Sequence, residues 1–407
     1  MPATAAQVFG PVAVDPGFTT TGEKTLLTMN TTLPAGGKNV IIAVYSTSIY
    51  HGTKASGTWR IYKGTTLLYE TPVAGQKLHY GDVSNVTTMI MAVDDLPVGN
   101  DSYTFKINIT SAGGTTGPVH VQAIVLKVDD VAWVHGGVNI AAGGSATVVS
   151  VNTTYSIGTK VVALAFIMGY NTGTVGSAMY GVGNIRLKLG ATTISANEFN
   201  DGAYDSLEPA LFSLGWVGEM TSATQTWSVE FVNGSTKPCY AHASLIVFSV
   251  SDGAFLDTAS IALTSGTQVT VGNLNTTLQG DVVSIGFAAA ANTTSSKVTG
   301  FNSNDVVLQL NNSAVGQVSN LVDIKFFVTN NIAMSRVLPI FRFDTGVTNP
   351  SYQIKMTARV NGINGEAKIV AFSTVLVEEK TVTDSISLSD AASVSSSFVV
   401  SDSFSLT

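Results

Sequence analysis

Three apolar segments recur without gaps at a spacing of 121 residues: Val40-Ile41-Ile42-Ala43-Val44-Tyr45, Val161-Val162-Ala163-Leu164-Ala165-Phe166 and Val282-Val283-Ser284-Ile285-Gly286-Phe287. A period this long requires one structural unit to be built three times. Ahead of each segment lies the same tripeptide and a bulky residue: Asn30-Thr31-Thr32-Leu33, Asn152-Thr153-Thr154-Tyr155 and Asn275-Thr276-Thr277-Leu278. After each comes a tight-turn signal between short strands, centred on Gly64, Gly190 and Asn311-Asn312. Glycine and asparagine accept the positive φ that short hairpins need. An aromatic residue then opens an alternating strand: Tyr103 to Ile107, Trp227 to Phe231 and Tyr352 to Met356. Each copy closes on a long apolar strand that runs into acid: Ile124 to Asp130, Leu245 to Asp252 and Phe372 to Glu379. Five landmarks in one order, three times over, leave chance a poor explanation.

Each copy holds seven or eight short strands with frequent turn signals and no helical periodicity. The fold class is therefore all-β: three tandem β-sandwich domains, jelly-roll or Ig-like, plus a β-prone C-terminal tail. Eight strands in about 120 residues favour the jelly roll, although pattern alone does not fix strand order. The expected domains are residues 1–134, 135–256 and 257–380, with a Ser/Asp-rich tail over 381–407 that offers exchangeable strands. Insertions in the second and third copies, around 170–183 and 329–349, are expected in loops. The tail repeats itself after 18 residues, as Asp384-Ser385-Ile386-Ser387-Leu388-Ser389 and Asp402-Ser403-Phe404-Ser405-Leu406-Thr407. Apolar Ile386, Leu388, Phe404 and Leu406 fall on every second position, as in a strand with one buried face. They are the candidate assembly residues.

Charged residues make up 12% of the 407-residue chain, against about 25% in ordinary soluble proteins. Ser, Thr, Asn and Gly must cover the surface instead. The net charge is −7 and no basic cluster stands out, so a nucleic-acid partner is not expected. The single cysteine, Cys239, excludes an internal disulfide framework and reads as a small buried residue. Met1-Pro2-Ala3-Thr4 opens no recognisable leader, which suits a chain made and assembled inside a host cell. The longest apolar runs are too short to cross a bilayer as helices.

Patterns that carry chemistry are missing. His51, His79, His120, His135 and His242 are scattered, with no paired spacing for a metal. His120 and His242 sit at roughly equivalent places before the closing strands and read as structural. Gly143-Gly144-Ser145 does not complete a nucleophile elbow, and Gly181-Val182-Gly183 lacks the rest of a dinucleotide fingerprint. No enzyme activity, cofactor or metal is expected. The acidic pairs Asp94-Asp95, Asp129-Asp130 and Glu378-Glu379 read as solvated strand ends more readily than as calcium ligands. Trp59, Trp216 and Trp227 are candidates for a sugar platform, with core burial the stronger expectation for Trp59 and Trp227. Nine Asn-x-Ser/Thr sequons occur, and Asn30, Asn152 and Asn275 share one position in the three copies. They are candidate glycosylation sites, or turn residues that shape the strand connection.

The low charge and the Thr, Asn, Ser and Gly content, with tandem copies of one architecture, resemble tandem β-sandwich structural proteins of phage and archaeal virus particles. The Asp-Ser-Ile-Ser-Leu-Ser tail motif is similar to stretches of archaeal surface filaments. The resemblance implies a non-enzymatic virion component, such as a capsid-decoration, tail or fibre protein. It would form homo-oligomers or polymers through lateral contacts and tail exchange, without membrane insertion. The alternatives are a subunit of an extracellular filament or surface layer, and a carbohydrate-binding or adhesion protein that meets surface glycans.

Overall fold

The computed structural model describes residues 3, 5–47, 56–71, 86–112, 119–171, 179–197, 201–203, 210–234, 237–292, 298–301, 305–311, 313–319, 324–326 and 335–374. Among them there is no helix. The first set of strands is β1 (Ala5–Val14), β2 (Gly22–Asn30), β3 (Lys38–Thr47), β4 (Ser56–Lys63), β5 (Thr66–Glu70), β6 (Val86–Asp94), β7 (Ser102–Ser111) and β8 (Val119–Val128). They form two antiparallel sheets in the orders β1-β8-β3-β6 and β2-β7-β4-β5. First-eighth-third-sixth over second-seventh-fourth-fifth is the double Greek key of a jelly roll, which settles the choice between the two sandwich types.

The second set repeats this wiring. It comprises β9 (Val131–Ile140), β10 (Ser145–Thr154), β11 (Lys160–Asn171), β12 (Met179–Leu189), β13 (Thr192–Ala196), β14 (Asp201–Ala203), β15 (Ala210–Glu219), β16 (Thr224–Asn233) and β17 (Cys239–Val250). Its sheets are β9-β17-β11-β15 and β10-β16-β12-β13, with β14 an extra strand on β12. The third set opens with β18 (Asp252–Asp257), β19 (Ile261–Leu263), β20 (Gln268–Asn275), β21 (Gln279–Asn292) and β22 (Val298–Phe301). It continues with β23 (Val306–Leu310), β24 (Ser313–Ser319), β25 (Ile324–Phe326), β26 (Ser335–Thr348), β27 (Ser351–Thr357) and β28 (Ile363–Thr374). Its main sheets are β18-β28-β21-β26, where β19 also pairs with β28, and β20-β27-β23-β24. The expected loop at 329–349 is largely strand: 335–348 is β26, paired with β21 along its length. Likewise 179–183 belongs to β12. The extra residues lengthen strands that have a partner long enough to pair with them.

The two sheets of each set are buried differently. In the sheet containing β7, side chains alternate: Tyr103, Phe105, Ile107 and Ile109 are inside and the residues between them are not. One face lies on the core and the other in solvent. In the sheet containing β3, every residue from Val40 to Tyr45 is buried, as is every residue from Val161 to Met168 and from Val282 to Ala291. A continuous apolar strand has both faces covered. Tyr45 stacks on Trp59, which stacks in turn on Phe105, within its own sandwich. Phe248 packs edge-on against Phe372 of the third set. A Cβ at Gly215 would lie 2.6 Å from Phe287 and 2.8 Å from Val370. The outward faces therefore form a second core between the sets. The edge strands β6, β15 and β26 meet one another pairwise at its centre. Each also touches the outward sheet of the next set, β6 on β11 and β17, β15 on β28, and β26 on β1, which gives the sets a cyclic, pseudo-threefold arrangement. Residues 1–376 form one compact unit.

The gapless alignment at 121 hides a slip. Tyr45 points into its own sandwich, whereas the aligned Phe287 points outward at Gly215. Gly286 is the inward residue, with its missing Cβ against Ile354. Side chains alternate between faces along a strand, so the first set is one residue out of phase with the third. The pairing registers of the first two sets match at an offset of 122: Lys38 lies opposite Val128 and Lys160 opposite Val250, while His120 lies opposite Ser46 and His242 opposite Met168. His120 and His242 are therefore equivalent, both on the outward face.

Gly215→Val should overpack the contact between the second and third sets, since the Phe287 ring blocks the new side chain. The expected loss is about 1–3 kcal/mol in denaturant unfolding. An unchanged midpoint would contradict the close approach of β15 to the third set.

Candidate assembly surface

The sets are joined by very short links, and this fixes how they point. β8 ends at Val128, opposite Lys38 at the start of β3, and β9 begins at Val131. Val131 pairs with Phe248 near the end of β17, which lies against Lys160 at the start of β11. Asp252 follows at once and pairs with Ser373, beside Asp281 at the start of β21. All three sandwiches therefore present the same end to one face of the unit. That near face carries the second-to-third, fourth-to-fifth and sixth-to-seventh turns. The sixth strands begin at the opposite end, Val86 opposite Thr47, Ala210 opposite Gly169 and Ser335 opposite Ala291.

The near face is built from tight turns and ion pairs. Gly64, Gly190 and Asn311 hold positive φ of 55°, 58° and 49° in the hairpin turns, as their residue types allow. Lys63 Nζ lies 2.7 Å from Asp94 and 3.0 Å from Asp101. The Tyr103 hydroxyl donates to Asp94 at 2.7 Å, and the Asn39 amide donates to the Tyr103 oxygen at 2.7 Å. Burial opposes the Lys63 charge, but the bonds to Asp94 and Asp101 prevail and raise its pKa. Asp95 pairs with Lys38 at 3.0 Å. The Asp94-Asp95 pair is thus occupied by lysines. Glu378-Glu379 lies outside the described residues, and no group of three or more metal-binding side chains occurs among those described. Among the described residues the exposed large apolar ones, Leu67, Leu96, Val98 and Ile157, all belong to this face, with Leu96 81% and Val98 76% accessible. Single exposed apolar residues need no explanation, but these four share one face.

The repeated Asn-Thr-Thr has a structural use in every set. Its middle threonine is buried. Thr31 and Thr276 each donate both N–H and hydroxyl to one carbonyl of the sixth-to-seventh turn, that of Asp101 and of Pro350. Thr153 accepts from the Trp227 indole at 2.8 Å. The flanking Asn30, Asn152 and Asn275 are exposed, as are Thr32, Thr154 and Thr277. The Asn30 and Asn152 side-chain oxygens accept from Ser102 and Thr226, both at 2.7 Å. Trp59 and Trp227 are 3% and 0% accessible, so neither contributes to a sugar platform. Trp216 is half-buried, 5.6 Å from Trp227. Ile386, Leu388, Phe404 and Leu406 lie outside the described residues, as do His51 and His79.

A polar cluster that no motif announces joins the first two sets. Tyr69 on β5 is buried against Trp133 and His135 of β9. Its hydroxyl lies 3.4 Å from His242 Nε2 and accepts from Ser244 at 3.2 Å. His135 and His242 rings are 6.1 Å apart. Burial, followed by the nearby His135, pushes the His242 pKa down to about 4. Cys239 is buried and free, its pKa pushed up to about 11 by burial.

No family model and no curated protein matches the chain. Some solved structures match it at low overall similarity. One is the major capsid protein of STIV, the Sulfolobus turreted icosahedral virus, at 9% identity and a TM-score of 0.29, covering 60% of this chain and 97% of that one. Another is the structure of a triple jelly-roll fold and turret assembly in an archaeal virus, at 12% identity and a TM-score of 0.18, covering 85% and 81%. A third is PNGF-II, at 10% identity and a TM-score of 0.28, covering 60% and 65%.

Because the fold holds His242 neutral, an unfolded chain binds a proton there below about pH 6.5 while the folded chain resists until about pH 4. Stability contributed by this group is complete above pH 6.5 and is lost as pH falls toward 4. The loss is about 3 kcal/mol by linkage. His242→Gln should flatten the slope of unfolding free energy against pH in that window; an unchanged slope would contradict the burial of His242.

Proposed function

We propose that this chain is a non-enzymatic structural protein that self-assembles into a virion component: a capsid-decoration, tail or fibre subunit. The observation that carries the reading is the polarity of the unit. Three jelly rolls stand side by side with the same ends on one face, held by a shared core. Such a block has two unlike faces and a repeated lateral surface, which suits a shell or fibre. Its polar groups are spent on internal ties, such as Lys63 with Asp94 and Asp101 or the bidentate Arg342–Asp344 pair. Its building units are the three jelly rolls, and the virion is its location. The first strands of the second and third begin at Val131 and Asp252 rather than at the expected 135 and 257, because each follows the preceding closing strand almost at once.

Copies associate through lateral contacts and by exchange of the 381–407 tail. Ile386, Leu388, Phe404 and Leu406 supply the alternating apolar face that an added strand needs, and its main-chain hydrogen bonds supply the strength. Neither nucleic acid nor membrane insertion is part of this reading. A second reading, a subunit of an extracellular filament or surface layer, draws on the exposed Asn30, Asn152 and Asn275 as glycan sites. Intact-mass analysis of the native protein distinguishes the two.

Deleting Lys380 to Thr407 should leave folded monomers that no longer polymerise in sedimentation velocity. Phe404→Asp with Leu406→Asp should weaken assembly and leave thermal unfolding unchanged. Normal polymers without the tail would contradict the exchange.

A further inference from the structure

We infer that the strand exchanged between copies is received by β10, the edge of the second sandwich, whose open side is built to take an uncharged alternating strand from a second copy of this chain. This rests on the tail-exchange reading above and goes beyond it by naming the acceptor.

Sheet edges are the places where unpaired N–H and C=O groups can take another strand, and most edges here are closed. β6, β15 and β26 meet at the centre of the unit. β5 and β13 have five residues each. β24 keeps only three register pairs with β23, and these are broken by a shift between Leu308 and Leu310. β22 and β25 are shorter still. β1 is broken by Gly10-Pro11 and a register shift. β18 is short and carries Asp252 and Asp257. β9 matches β10 in length, but Tyr69 of the first set covers its outward side at Trp133 and His135. The second strands β2, β10 and β20 remain.

All three bulge at the same place, between Thr25 and Leu27, Thr147 and Val149, and Thr270 and Gly272. A bulge disrupts pairing locally, so the regular run beyond it decides what an edge can receive. That run is Leu27–Asn30 in β2 and Gly272–Asn275 in β20, but Val149–Thr154 in β10. β2 also carries Glu23 and Lys24, whereas β10, Ser-Ala-Thr-Val-Val-Ser-Val-Asn-Thr-Thr, has neither charge nor proline. Charge and proline are the devices that protect edges, and β10 lacks both.

The rim of the sandwich beside β10 is also incompletely covered. Ala146 and Val151 lie opposite core residues Phe231 and Trp227 and so point inward. Both are nonetheless only partly buried, as are Val134 and Val138 on β9. Gly136 brings β9 to 3.6 Å from Val149, counted from its missing Cβ, so the two edges flank one apolar seam. A strand added to β10 would lay every second side chain into that seam. The tail has apolar residues in that spacing, with serine between them. β28 brings the chain to Thr374 at the near face, and the 33 residues from 375 to 407 can span up to roughly 110 Å when extended, enough to reach a neighbour.

The experiment uses the full-length chain. One population carries Ser150→Cys on β10 and a second carries Ser387→Cys or Ser405→Cys in the tail. Oxidation of the mixture should give disulfide-linked dimers, since directly opposed strand residues fall within disulfide reach. Glu23→Cys on β2 and Asn273→Cys on β20 should not. In parallel, alternate amides of Val149–Thr154 should exchange hydrogen at least tenfold more slowly in the assembly than in the chain lacking 380–407. Equal cross-linking at 23 and 273, or unchanged exchange along β10, overturns the assignment of this edge. If deletion of the tail still abolishes assembly in that case, tail exchange itself stands with another acceptor. If assembly survives the deletion, both readings fall together.

Discussion

Burial of both faces of one sheet in each sandwich is the constraint from which the rest of this structure follows. A sandwich needs only one apolar face per sheet. Here β3, β11 and β21 are apolar on both, and a single jelly roll would leave the outward face in water. Fully burying a large aliphatic or aromatic side chain is worth about 1.5–3 kcal/mol, and each outward face presents several. Val162, Leu164, Phe166 and Phe248 do so in the second set, and Val283, Ile285, Phe287 and Phe372 in the third. The cyclic packing of the sets satisfies all three faces at once. Links as short as Asp129-Asp130 and Ser251 then force the three sandwiches to stand parallel, which is what gives the unit two different faces.

Much of this was legible in the sequence, and the parts that were not have a common cause. The all-β class and the hairpins at Gly64, Gly190 and Asn311 follow from local chemistry, because a turn that needs positive φ leaves a mark, whereas the extra short strands β14, β19, β22 and β25 were not foreseen. The burial of Val161, Leu164 and Phe166 follows from composition. Their direction does not. Phase along a strand is readable only where polar residues alternate with apolar ones, as in Tyr103-Thr104-Phe105-Lys106-Ile107. In Val40 to Tyr45 both faces are apolar, so nothing in the pattern separates inward from outward, and an alignment can slip by one residue unnoticed. That run also announced a sheet covered on both sides. The contact between sets was therefore implied by the same residues that concealed its register.

The candidate surface was less legible. Leu96, Val98 and Ile157 are ordinary loop residues in sequence, and only the parallel arrangement of the sandwiches collects them. Asn30, Asn152 and Asn275 were visible as a repeated motif, but the buried threonine between the two exposed positions explains why the motif recurs. It ties the end of each second strand to a turn or to the indole of the seventh strand. The cluster of Tyr69, His135 and His242 draws its members from two sets far apart in the chain, and no spacing rule predicts it. The outward faces of the other sheets are the solvent sides. They carry exposed charge clusters such as Glu23 with Arg60 and Lys106, and Glu230 with Arg186 and Lys188. Exposed pairs of this kind add little stability, but they keep those faces from joining the apolar contacts.

The shared core makes a claim about cooperativity that independent beads on a string would not meet. Scanning calorimetry of the unassembled chain tests it most directly. Three sandwiches that depend on one another's outward faces should unfold in one transition, with calorimetric and van't Hoff enthalpies in agreement. Three separable transitions, each with the enthalpy of a domain of about 120 residues, would mean that the outward faces do not hold the unit together.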